Sequence, residues 1–141
     1  MDAERIAGAT ANLESIARCY TGFPVVVYWV ESKRFWGAAF RTPAHGVIRL
    51  NRRQTIEGIG LTFFHEVGHL VMHHAEPPAP DEYVETDVLF PDLIAAMPET
   101  PERAGLEQYL ERIEDEAIAW AAAALAAFEA QFGPFPVAVV G

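Results

Sequence analysis

From Ile56 to Val71 the chain reads as a helix that is apolar nearly all round, with Ile59, Leu61, Phe63, Phe64, Val67, Leu70 and Val71 spread over its faces. A helix of that kind belongs inside a fold. It nevertheless carries His65-Glu66-Val67-Gly68-His69. Burying two imidazoles and a carboxylate without partners is costly, and a metal ion is the simplest partner for all three. The two histidines are four residues apart, so they project from one face about one turn apart. That spacing lets them grip one tetrahedral ion. Glu66 is rotated by about 100° from His65. It is too far round to be an easy third ligand, yet near enough to take a proton from a bound water. Two ligands, a base and an open coordination position are the parts of a zinc peptidase.

A catalytic zinc takes three protein ligands and a water, so a third ligand is needed. His73 shares the helix face but stands about 12 Å from His65 by rise alone. A histidine beyond a helix-breaking glycine is also absent, because those positions are Met72 and Ala75. Asp81, Glu82, Glu85 and Asp87 offer carboxylates from an acidic loop. The last helix offers Glu114, at the border of an apolar face formed by Leu106, Leu110, Ile113, Ala117, Ala121, Ala124 and Phe128. Glu116 points roughly 200° away from Glu114. Ala117 and Ala121 allow close approach to the metal helix. Glu114 is the expected ligand, with Glu116 and the acidic loop as alternatives.

Around this helix the chain reads as one α+β domain over residues 1–141. Residues 2–20 predict an amphipathic helix with Ile6, Ala9, Leu13, Ile16, Ala17 and Tyr20 at helical spacing. Cys19, the single cysteine, falls in this pattern and is expected to be a small buried hydrophobe; no disulfide can form within the chain. Residues 23–30 and 35–40 carry strand signals, and residues 47–51 alternate apolar and polar as in a half-buried strand. Short loops between the three predict a mostly antiparallel sheet. Residues 76–105 hold six of the ten prolines and eight acidic residues. They predict a loop that either forms a lid over the site or stays solvated, with a short helix near residues 91–97. Residues 106–132 predict a long helix stopped by Gly133-Pro134. The tail at 135–140 is expected to dock as a strand or pack on the core.

Charge is uneven. Residues 1–56 hold 8 basic and 4 acidic groups, whereas residues 57–141 hold 2 and 16, for a net charge of −10. An acidic chain is a poor direct binder of nucleic acid. The cluster Arg49, Arg52 and Arg53 is expected to meet either the acidic half of its own chain or an acidic partner. The start of the chain lacks the apolar core of a signal peptide, and no apolar run reaches the length of a membrane span. A cytoplasmic protein without membrane association is expected.

Taken together, Ile48-Arg49-Leu50-Asn51, then Leu61-Thr62-Phe63-Phe64-His65-Glu66-Val67-Gly68-His69-Leu70-Val71-Met72-His73, then Glu114-Asp115-Glu116-Ala117-Ile118-Ala119-Trp120-Ala121-Ala122 resemble the successive motifs of the ImmA/IrrE family of zinc metallopeptidases. Ile118 stands where the family motif has asparagine. The resemblance implies a zincin-like fold and one Zn²⁺ per chain. It implies Glu114 as third ligand, in line with the face on which it lies. It also implies cleavage of a protein or peptide substrate, a transcriptional repressor being one class of target. Glu66 is the expected catalytic base, with His65, His69 and Glu114 on the metal. His45, His73, His74, Tyr83 and Tyr109 are candidate donors to an oxyanion, and residues 47–51 are a candidate sheet edge for an extended substrate. A zinc-binding interaction module without turnover is the competing expectation; it would have no need of Glu66.

Overall fold

Ala9, Leu13 and Ala17 recur every four residues and form the buried stripe of helix α1 (Ala3–Thr21) in a computed structural model that describes residues 3–73 and 90–135. Cys19 is exposed rather than buried. It lies two residues from Ala17, about 200° round the helix, on the face that turns to solvent. Gly22, at φ +79°, ends the helix and leads into β1 (Val25–Val30). Helix α1 also covers the outer edge of β1: the Val27 amide donates to Glu14 Oε2 at 2.9 Å, and Trp29 Nε1 donates to Thr10 Oγ1 at 2.7 Å.

The strands β2 (Gly37–Arg41) and β3 (Gly46–Asn51) follow, but the sheet is mixed rather than mostly antiparallel. Its order is β1-β3-β2. Strand β3 lies parallel to β1, with Val25 opposite Gly46, and antiparallel to β2, with Gly37 opposite Leu50. Consecutive strands are commonly neighbours. Here the link after β1 passes over the end of β3 and delivers β2 to the far side. Asn51 fixes that crossing. Its side-chain Nδ2 donates to the carbonyls of Ser32 and Phe35, its Oδ1 accepts from the Arg53 amide, and its own amide donates to the Trp36 carbonyl.

As the central strand, β3 is buried on both faces, not half-buried as its alternation suggests. Ile48 and Leu50 join the main core, while Arg49 turns to the other face and lies over the Phe35 ring. Arg49, Arg52 and Arg53 are therefore no surface cluster: Arg49 is interior, and Arg53 faces Glu31. A cation from the basic half does meet the acidic half elsewhere, where Arg34 pairs with Asp92.

Helix α2 (Ile56–His73) starts behind Thr55, whose Oγ1 accepts from the Gly58 amide. Helix α3 (Phe90–Ala95) falls near the short helix expected there. Helix α4 (Pro101–Phe132) begins at Pro101 rather than Leu106. Thr100 caps it by accepting from the Arg103 amide, and Pro101 suits a first turn whose amides have no helical partner. The expected loop 76–105 thus ends in helix; residues 76–89 lie outside the described residues. Gly133, at φ +93°, closes α4. Phe135 then folds back into the core, its ring stacked on Phe63 and edge-on to Phe128. Residues 136–141 lie outside the described residues. Among the described residues no helix is long and apolar enough to cross a membrane.

Candidate metal centre

Helix α2 lies antiparallel to α4. Gly60 faces Leu125 at one end, and Gly68 faces Ala117 and Trp120 toward the other. Small residues set this approach. A Cβ on Gly68 would sit 3.1 Å from Trp120 Cε3, and Ala117 and Ala121 are buried opposite. The seam brings the Glu114 carboxylate onto both histidines. His65 Nε2 lies 3.0 Å from Glu114 Oε2, His69 Nε2 lies 2.9 Å from Glu114 Oε1, and the two Nε2 atoms are 3.1 Å apart.

These separations fit a metal better than they fit hydrogen bonding alone. Ligand atoms at about 2.0–2.1 Å from a tetrahedral zinc stand ~3.3 Å from one another, close to the 2.9–3.1 Å between the two imidazole nitrogens and from each to its own Glu114 oxygen. In a purely hydrogen-bonded arrangement, each neutral imidazole has a single N–H. Directing both toward Glu114 leaves two donor nitrogens crowded side by side at 3.1 Å with no hydrogen bond between them. A cation at the centre satisfies all three lone pairs.

Glu66 stands one position round the helix and is 5 % exposed. Its Oε1 is 3.9 Å from His65 Nε2, farther than either Glu114 contact, although the ligand atoms of His65, Glu66 and His69 all fall within 4.8 Å of one another. Glu114, straddling both rings, is nearer to each imidazole nitrogen than Glu66 is to His65. Strand β2 encloses Glu66. A Cβ on Gly37 would lie 2.7 Å from Thr62 Cγ2 and 3.0 Å from Glu66 Cγ. Burial pushes the Glu66 carboxyl up to about 7, against the opposing pull of His69 and His65. The His65 and His69 hydrogen bonds hold Glu114 far below the usual carboxylate range. His65 is raised, chiefly by its bond to Glu114.

Other candidates are placed elsewhere. Glu116 points away from the triangle toward Arg112, 3.7 Å from its Nε. His45 sits in the β2–β3 turn with Nδ1 on Thr42 Oγ1, at the opposite end of the hairpin from Gly37. Tyr109 lies five positions before Glu114, about 140° round α4, beneath the Arg112 guanidinium. The side chain of His73, and residues 74–89 with His74, Asp81, Glu82, Tyr83, Glu85 and Asp87, lie outside the described residues. Gly37 and Gly68 carry no chemistry of their own, and the only signal for them was a glycine where a strand or a buried helix face would favour a larger residue. Comparison with protein-family models, curated proteins and solved structures finds no match to this chain.

Proposed function

We propose that the chain is a zinc-dependent endopeptidase of the zincin-like kind that its resemblance to the ImmA/IrrE family implies, acting on a peptide bond in a protein substrate. A transcriptional repressor is one class of target. The observation that carries this reading is the convergence of Glu114 on both His65 and His69, with a buried carboxylate beside them. His65, His69 and Glu114 hold one zinc ion. When bound, the ion acts as a Lewis acid toward water and the substrate carbonyl. Glu66 accepts a proton from the attacking water on its carboxylate and later delivers it to the leaving nitrogen. A buried carboxylate one position from the first ligand is placed for both transfers.

The substrate edge moves from β3 to β2. Strand β3 is paired on both sides, whereas among the described residues β2 has a strand on one side only and carries Gly37 against Glu66. An extended peptide added to β2 would run beside the base. The competing module without turnover would keep the three ligands but gains nothing from a buried Glu66. The test is zinc content by elemental analysis, together with cleavage of a broad peptide mixture by parent and Glu66→Gln protein. About one zinc per chain, and cleavage that falls ~10²–10⁴-fold in the variant, supports the enzyme. Zinc with equal or no cleavage in both leaves the binding module. No zinc after loading removes both readings.

A further inference from the structure

The ligand face of α2 forms the floor of a groove. Strand β2 walls it on one flank, through Gly37 against Thr62 and Glu66, and α4 walls it on the other, through Trp120 and Ala117 against Gly68. The two directions along this groove differ in chemistry. Toward the start of α2, one turn before His65, the floor carries Leu61, which is 52 % exposed. On the α4 flank Ile118 stands one turn after Glu114 and is 57 % exposed. From Ala117 to Phe128 the wall helix has no charged residue. In the other direction the same face of α4 presents Glu107 and Glu111. Neither Leu61 nor Ile118 joins the main core, although both stand within one helical turn of a proposed ligand.

We infer that this end of the groove is a side-chain subsite for a bulky aliphatic or aromatic residue of an extended peptide. The inference rests on the peptidase reading for the site, but the subsite concerns binding. Four helical residues rise about 6 Å, and successive residues of an extended chain are ~3.4 Å apart. The preferred side chain therefore belongs to a residue within two positions of the bond that lies over the metal centre. Strand β2 supplies backbone pairing along the opposite wall, and Leu61 and Ile118 supply the contact that selects the side chain.

The test uses zinc-loaded Glu66→Gln protein and a random peptide library, with bound peptides identified by sequencing. Leucine, isoleucine, methionine or phenylalanine should be enriched about tenfold at one position. Leu61→Ser and Ile118→Ser, each added to that protein, should reduce the enrichment to near background while zinc stays at the level of their parent. Both substitutions are at exposed positions, and circular dichroism checks the fold. Binding with no apolar preference, no peptide binding, or a preference that survives both substitutions overturns the subsite. Digesting the same library with the zinc-loaded parent separates the two ideas. Apolar-selective binding without any cleavage keeps the subsite and removes the peptidase. Cleavage without an apolar preference does the reverse.

Discussion

His65 Nε2 and Glu114 Oε2 lie 3.0 Å apart although 49 positions of chain separate them. The contact ties the middle helix to the last one at a point where both expose polar atoms. Glu114→Ala should therefore empty the metal site without unfolding the α2–α4 seam, which is packed by Phe64, Trp120 and Phe128. Zinc affinity should fall by more than the ~10–100-fold that loss of a supporting hydrogen bond costs. Glu116→Ala should leave it unchanged. Equilibrium dialysis followed by elemental analysis reads both variants, and equal losses in the two would remove Glu114 from the ligand set.

The buried Glu66 carboxyl predicts a pH signature in metal-free protein. Its folded value, about 7, lies above the ordinary 4.5, so the folded form holds the proton more tightly. Its contribution to stability is complete below pH 4.5 and is lost as pH rises to 7, where the loss levels off. Glu66→Gln cannot ionise. Relative to its value at pH 4, the stability of the variant minus that of the parent should rise by up to about 3 kcal/mol at pH 8. Urea titrations of both proteins in chelator give this difference, and a flat difference across pH would show that Glu66 titrates normally.

Gly37 is required for close approach rather than for a special backbone conformation. Gly37→Ala would place a methyl 2.7 Å from Thr62 Cγ2, and overpacking of this kind costs about 1–3 kcal/mol. Thr62→Ser removes the clashing methyl, so the double variant should recover much of that loss. Denaturant midpoints of the four proteins in the cycle check this; additive losses would place the strain elsewhere.

Asn51 holds the crossing between β1 and β2. Asn51→Ala leaves the carbonyls of Ser32 and Phe35 without their amide donor and the Arg53 amide without its acceptor. At ~1 kcal/mol per bond, and more for each buried group left unmet, the variant should lose about 3 kcal/mol or more. Hydrogen exchange should show the loss concentrated in β2.

Which parts of this arrangement could be read from sequence depends on how local their causes are. Helix α2 was legible because a long apolar run carrying the His65 and His69 spacing is a signal contained within one helix. His65, His69 and Glu66 were legible because helical spacing alone fixes their relative directions. Glu114 followed from its position at the edge of an apolar face. The place of β3 in the sheet was not legible. Its alternation describes a strand with one wet face, but its neighbours on both sides are decided by where the chain crosses, and that crossing depends on one buried asparagine. The start of α4 was hidden by its prolines, although Thr100-Pro101 is a start signal in its own right. The pairing of Gly37 with Glu66 left only the absence of a side chain to read.

The strand order also concentrates the sheet on one segment. Among the described residues, β1 and β2 are not neighbours, and each pairs with Gly46–Asn51 alone. One strand completes both ladders. Both ladders of this sheet therefore depend on the same six residues, and the support for Glu66 from β2 depends on them too.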